Sequence, residues 1–223
     1  MERERLNDGG VRNMRNNTES PQEQNFHSHK SEESTKKGLL RNILIYLHDL
    51  VYLFGILLLI FLLCFRVVVV SGSSMNKTLI NGDYLFLLSN TFYKTPKQGD
   101  IVVASKNSFE NGEPIVKRVI ATEGQTVDID FTTGAVYVDG IKLEESYIST
   151  ATTRPEGVVF PLYVDEGCLF VMGDNRAISH DSRSPDIGLI DRREIIGKAI
   201  FLFLPGPVDD SGRRDFTRIG VLS

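Results

Sequence analysis

At 223 residues the chain has room for one or two domains, and its charge is unevenly spread. Up to Arg41 it carries eight Lys and Arg against seven Asp and Glu, which leaves 17 basic against 22 acidic residues beyond. That mildly acidic remainder excludes nucleic acid as the main partner, since such binding needs a basic face. The two cysteines, Cys64 and Cys168, have no metal-ligand spacing and read as buried free thiols.

Residues Met1 to Ser34 are rich in Asn, Glu, Ser, Gln and Arg and nearly devoid of large apolar side chains. Such a segment buries too little to offset its ordering entropy, so a disordered tail is predicted over residues 1–38. From Leu50 through Phe65 every residue is apolar or aromatic except Gly55. That run is short of the ~20 residues a span needs. Ile43 to Leu47 extend it, with His48 and Asp49 interrupting, and Arg66 closes it where its side chain can snorkel. An anchor is therefore predicted over 43–66. A core helix would carry a polar stripe, and none is present. A cleaved secretory signal is the other alternative, but the run is long, lies deep in the chain and has no small-x-small site after Phe65. Lys36, Lys37 and Arg41 precede the span, which puts the tail in the cytoplasm and the C-terminal bulk outside.

Beyond Val67 to Val70, which can start a strand, short β-branched and aromatic runs alternate with turn residues. Strands are predicted over Tyr84 to Leu88, Ile101 to Ala104, Ile115 to Ala121, Thr126 to Ile129, Ala135 to Val138, Cys168 to Met172 and Ile195 to Leu204. Asp139-Gly140 signals a type I′ hairpin joining Val136-Tyr137-Val138 to Ile141-Lys142-Leu143. No long 3.6-residue period occurs, so residues 67–223 read as one all-β domain, large enough to bury its own core. Thr150 to Pro161, with two prolines and few apolar pairs, reads as a long surface loop.

Three polar segments interrupt this pattern. Ser71-Gly72-Ser73-Ser74-Met75 follows the apolar run by a few residues and, taken alone, is a flexible turn. A serine there becomes a nucleophile only if a neighbouring base takes its proton. Histidine offers little: His27 and His29 lie in the tail, His48 at the membrane, and only His180 in the domain. A buried lysine can serve instead, because desolvation disfavours its ammonium form. Lys117 lies in Ile115-Val116-Lys117-Arg118-Val119-Ile120, where alternation puts it with Ile115 and Val119 and puts Arg118 with Val116 and Ile120. A half-exposed edge strand would also tolerate the two cations. The third segment, Gly173 to Arg183, is too polar for a core strand and by itself is a charged surface loop.

Behind a membrane anchor and in this order, Ser71 to Leu79, Pro114 to Ile120 and Gly173 to Arg183 closely resemble the type I signal peptidases, membrane-anchored serine proteases with a Ser/Lys dyad. The resemblance covers the anchor and nearly everything after it. It implies an all-β catalytic domain, with a signal-peptidase/LexA-like β-fold, following one N-terminal transmembrane helix. The implied activity is a serine endopeptidase of the cell membrane that removes signal peptides from secretory preproteins at the outer face of the bilayer. The lipid bilayer is its other partner, and no cofactor and no metal are implied.

Ser74 precedes Met75 as the family's serine precedes a methionine, which implies Ser74 as nucleophile and Lys117 as base, with the Ser74 backbone N–H in the oxyanion hole. Some members add a serine hydroxyl two positions earlier; Gly72 stands there, so a main-chain donor must substitute. Ser179 is implied to orient the lysine amine, Asp181 and Arg183 to form a supporting ion pair, Asp174 to pair with Arg118 beneath the site, and Met75 to wall a shallow substrate pocket. His180 falls at a variable place and is given no role. Lys77 departs from the family, where a proline stiffens the loop. No second inserted domain has room here, which implies the compact form. Two rivals stand beside this reading: a LexA-like self-cleaving regulator, which would need a DNA-binding module, and a non-catalytic membrane-tethered scaffold.

Overall fold

The computed structural model describes residues 21–106, 109 and 112–222, with backbone alone over 21–37. The first twenty residues of the expected tail lie outside the described residues. The chain divides into two compact units, Met1–Leu57 and Leu58–Ser223.

The single α-helix among the described residues, α1, runs from Pro21 to Cys64. It begins inside the segment expected to be disordered. Proline suits a first helical position because the N–H it lacks would have no intrahelical partner there. No further proline or glycine follows before Gly38. Low apolar content correctly reports that residues 21–37 have little with which to build a core, but it does not count Gln, Glu and Lys as good helix formers. From Gly38 to Cys64 the helix is long and apolar enough to cross a membrane, at 27 residues. Its large apolar side chains, from Leu39 to Leu63, are exposed rather than confined to a buried stripe.

The helix stops at Cys64. Phe65 and Arg66, expected to end the anchor, instead open strand β1 (Phe65–Val69), whose β-branched valines favour extended backbone. β1 pairs antiparallel with β2 (Tyr84–Ser89), from Phe65↔Leu88 to Val69↔Tyr84. The strands that follow are β3 (Ile101–Ser105), β4 (Pro114–Thr122), β5 (Thr126–Asp130), β6 (Ala135–Val138) and β7 (Ile141–Lys142). The remaining ones are β8 (Leu162–Tyr163), β9 (Cys168–Met172), β10 (Ile190–Asp191), β11 (Ile195–Leu204) and β12 (Gly220–Val221). Every predicted strand is present to within two residues at either end. The unforeseen β8, β10 and β12 have two residues each, too few to show a period.

Two antiparallel sheets form. The larger has the order β1-β2-β11-β3-β4-β9-β10, with β12 also on β11; the smaller has β7-β6-β5-β8. The Asp139-Gly140 hairpin forms as expected, with φ of +51° and +77° at its two corner residues and Val138 facing Ile141. β11 can lie close against β2 because Gly197 has no side chain: a Cβ there would come within 2.4 Å of the Leu88 carbonyl oxygen.

β4 sits between β3 and β9, so it is not an edge strand. Seven consecutive residues of it, Ile115 to Ala121, are buried. Alternation still sorts them. Val116 joins the core cluster of Met75, Leu79, Leu85 and Val103, whereas Ile115 and Val119 join that of Val102, Val171 and Ile190. A third cluster, around Val127, Val136 and Phe170, fills the space beneath the smaller sheet. Lys117 and Arg118 are thus carried into the interior, 5% and 2% exposed, by the strand they belong to.

The loop from Thr150 to Pro161 contains no strand, but it is not purely a surface feature. Thr152 is fully buried, and the side chain of Glu156 is only 4% exposed. The loop lies against the polar segment 173–183: Val158 donates to the Arg183 carbonyl at 3.0 Å, and Arg154 donates to that of Ala177 at 3.1 Å. Cys64 and Cys168 are free thiols, half-buried rather than buried.

Candidate active site

Residues 70–79 leave β1 as a tight loop tied at both ends. Val70 and Gly82 are linked through Val70 N to Asp83 O and Gly82 N to Val70 O, both 2.8 Å. Gly72 has φ of +86°, and its N–H donates to Asn81 Oδ1 at 3.0 Å. A Cβ at Gly72 would meet nothing within 4 Å, so backbone conformation is the reason for glycine there. A single turn then closes, with Leu79 N donating to Met75 O at 2.9 Å. Met75 is 1% exposed and sits in the first core cluster with Leu79, clear of the groove beside Ser74. The turn packs its side chain against the first core cluster, where it anchors the loop. Beneath, buried Asp83 accepts two hydrogen bonds from Arg218, at 2.9 and 2.7 Å, and Arg218 also reaches Thr78 O at 3.2 Å.

This loop brings half-buried Ser74 to the lysine of β4. Lys117 Nζ lies 2.8 Å from Ser74 Oγ.

Arg118 points to the other face and is held from several directions. Its Nε and Nη2 donate to Asp174 Oδ1 and Oδ2, both at 2.9 Å, a bidentate pair with both side chains buried. Nη1 donates to Gly99 O at 2.7 Å, and the guanidinium stacks 4.1 Å over the Tyr147 ring. Burial, reinforced by the charge of Glu145, pushes the Tyr147 phenol up, so the ring under Arg118 stays neutral. Thr78 Oγ1 donates to Asp174 Oδ2 at 2.5 Å, linking the serine loop to the same carboxylate.

The segment 173–183 folds over the end of β9. Asn175 N donates to Ser74 O at 2.9 Å, and Asn175 Nδ2 to Ser73 O at 3.2 Å. Gly173 must be small, because a Cβ would come within 2.2 Å of Ser179 Oγ and 2.5 Å of Ser74 O. Ser179 is fully buried; its Oγ makes no hydrogen bond of standard geometry, yet it lies near enough to Asp181 to help keep that carboxylate ionised. Asp181 and Arg183 form a buried bidentate pair, Nε to Oδ1 and Nη2 to Oδ2 both at 2.8 Å, and Gly173 N adds a bond to Asp181 Oδ2 at 3.0 Å. Burial alone would push Asp181 up. The Arg183 hydrogen bonds and charge, with the Gly173 N–H, outweigh it and hold the carboxyl below the usual range. Arg176 is equally buried. It pairs with Glu145, donates to Thr152 Oγ1 and reaches Gly173 O at 3.1 Å.

The structure therefore brings together Ser74 with Lys117, Arg118 with Asp174, and Asp181 with Arg183. Sequence reading assigned no role to Gly173, Asn175, Arg176, Tyr147 or Thr78. Gly173 to Arg176 lay in the polar segment it singled out, but their partners are distant in sequence. An open groove of about 790 Å³ runs past Ser74 and Lys117 between Val67–Val69 of β1 and Pro114–Val116 of β4. His180 lines its far side, stacked on Phe109 with ring centroids 5.2 Å apart.

Over residues 43–204 the chain matches the family described as signal peptidase, peptidase S26. Signal peptidase I of Bacillus licheniformis is 38% identical over 149 residues, 63% of this chain and 77% of that protein. Signal peptidase I S of Bacillus subtilis (strain 168) is 34% identical over 187 residues, 79% of this chain and 95% of that one. The crystal structure of a signal peptidase I from Enterococcus faecalis V583 has a TM-score of 0.40 at 29% identity, covering 47% of this chain and 97% of that one.

Asp181→Asn tests the buried pair. Asp181 has its folded pKa depressed from 3.8, so its contribution is complete above that value and is lost as pH falls through the lower folded one. At neutral pH the variant should lose about 3–5 kcal/mol, since Arg183 is left buried without its counter-charge. Urea unfolding as a function of pH should show the gap to wild type constant above about pH 4 and shrinking below it. A gap that stays flat down to pH 2 contradicts this account of the pair.

Proposed function

Because the chain belongs to the signal peptidase family, peptidase S26, we propose that it removes signal peptides from preproteins with Ser74 as nucleophile and Lys117 as general base. The observation that carries the assignment is the 2.8 Å separation of Lys117 Nζ and Ser74 Oγ, with the Lys117 residue 5% exposed. Ser74 Oγ attacks the scissile carbonyl carbon while its proton passes to the neutral Lys117 amine. The negative charge gathers on the carbonyl oxygen, where the Ser74 backbone N–H is the proposed donor. Lys117 returns the proton to the leaving amine, giving an acyl-enzyme. The same amine then deprotonates the water that releases the acid and restores Ser74.

The supporting roles follow from charge. A carboxylate facing Lys117 would stabilise its ammonium and suppress the base. Asp174 is instead engaged by Arg118 and Thr78, and Asp181 by Arg183 and Gly173. Ser179 is proposed to orient the Lys117 amine. Gly72 sets the backbone path into Ser74, and its N–H, already given to Asn81, leaves the oxyanion to other donors. The groove between β1 and β4 is the proposed path of the substrate chain, because β1 is the end strand of its sheet and offers unpaired backbone groups to an extended peptide.

The domain division proposed with this reading is a tail over 1–38, an anchor over 43–66 and a peptidase domain over 67–223. Lys36, Lys37 and Arg41 before the span place the tail in the cytoplasm and the peptidase domain outside, next to the lipid bilayer and away from nucleic acid.

Two experiments test these proposals. Ser74→Ala and Lys117→Ala should each abolish preprotein cleavage with the fold retained by circular dichroism, while Ser73→Ala keeps substantial activity. The base accepts a proton only when neutral, so wild-type cleavage should rise as pH is raised from neutral to mildly alkaline. An active Ser74→Ala, or an acid limb carried by His180 and lost in His180→Ala, would assign the chemistry elsewhere. For orientation, protease added outside intact cells should digest the peptidase domain and spare an epitope in the tail. Digestion of the tail from outside would reverse the topology.

A further inference from the structure

Lys77 lies three residues after Ser74 and has a backbone φ of +88°. L side chains rarely adopt that conformation, and strain of this kind persists only where surrounding contacts over-determine it. The contacts are present. Lys77 Nζ donates to the carbonyl oxygens of Ser146, at 2.7 Å, and Ile148, at 3.3 Å. The segment that supplies those carbonyls is itself bound to the site at three further points. Glu145 pairs with Arg176, Tyr147 lies under the Arg118 guanidinium, and Ser149 N donates to Asp174 O at 3.1 Å. Asn175, between Asp174 and Arg176, returns to the serine loop by donating to Ser74 O. A closed circuit results, from Ser74 through Lys77 to 146–149, on to Asp174 and Asn175, and back to Ser74.

We propose that Lys77 is a positioning residue, whose ammonium ties the Ser74 loop to the 145–149 segment and so fixes the direction of the Ser74 hydroxyl toward Lys117. The proposal rests on Ser74 being the nucleophile. A proline stiffens a loop by fixing φ near −65°, which is incompatible with the backbone at this position. In this chain the stiffness is supplied by two hydrogen bonds across 69 and 71 residues of sequence instead. A proline at position 77 should therefore be harmful here.

The test uses the full chain in lipid vesicles with a preprotein substrate, comparing Lys77→Met, Lys77→Arg, Lys77→Gly and Lys77→Pro. Hydrogen exchange over residues 145–149 is measured alongside kcat and KM. Lys77→Met keeps the aliphatic stem and loses the donors; its kcat should fall about tenfold, as expected for a reacting group displaced by a fraction of an ångström. Its KM should change by less than about twofold, because substrate binding is untouched. Exchange across 145–149 should accelerate in the same variant. Lys77→Arg, which keeps donors, should retain kcat within about threefold of wild type. Lys77→Gly relaxes the backbone without restoring the donors and should fall with Lys77→Met, which separates the tie from the strain. Lys77→Pro should fall at least as far.

Wild-type kcat in Lys77→Met, unchanged exchange over 145–149, equal losses in Lys77→Arg and Lys77→Met, or full activity in Lys77→Pro would each overturn the proposal. Ser74→Ala run in parallel keeps the two assignments distinct. Activity surviving there removes the nucleophile, whereas the exchange measurement still reports on the tie.

Discussion

Two cations in consecutive positions of one buried strand set the terms for the rest of the domain. Burying an ion costs several kcal/mol unless a partner and hydrogen bonds replace the lost water. β4 solves this by alternation. Arg118 turns to a face where Asp174, the Gly99 carbonyl and the Tyr147 ring receive it. Lys117 turns to the opposite face, among Val102, Ile115 and Val119, and meets a hydroxyl. Arginine cannot shed its proton inside a protein, so it must take a carboxylate with it, whereas lysine can. The same logic recurs in the segment above. Asp181 is buried only together with Arg183, and Arg176 only with Glu145. Glu156 marks the limit of the pattern. Burial, added to by the charge of Asp181, pushes its carboxyl up, with Arg183 and His180 no closer than 3.6 Å and 3.7 Å.

What the sequence disclosed follows from how local each signal is. Strands of five or more residues announce themselves by β-branched runs, and the Asp139-Gly140 hairpin by two residues tolerant of positive φ. Ser74, Lys117 and the 173–183 segment were legible through their order behind an apolar span. The burial of Met75 was not legible, because an apolar residue beside a serine carries no mark of whether its turn directs it into the core. Nor was the burial of Thr152 and Glu156, since polar residues in a loop carry no mark of the arginines that will need them. The start of α1 at Pro21 was missed for another reason: disorder was read from the lack of apolar area, while helix propensity is a separate and local term.

Lys77 shows how a tertiary contact can meet a requirement that covalent geometry would otherwise have to meet. A serine hydroxyl is useful only if its direction is fixed, and fixing it requires removing freedom from the loop that carries it. Proline removes that freedom locally, by covalent geometry. A lysine with two carbonyl partners removes it by tertiary contact, tolerating an unfavourable φ in exchange. The second solution makes the loop's geometry depend on a segment about seventy residues away, and hence on the sheet that presents that segment.

That dependence extends to the whole site. The Ser74 loop is held by Asn81 and Asp83 nearby, by Asp174 and Asn175 about a hundred residues on, and by Arg218 at the far end of the chain. Lys117 comes from a central strand whose neighbours are β3 and β9. The contacts from Asp174, Asn175 and Arg218 each close a long loop, whose entropy is recovered only when the sheet completes. The 2.8 Å approach of Lys117 Nζ to Ser74 Oγ is therefore a property of the completed sheet rather than of either segment alone.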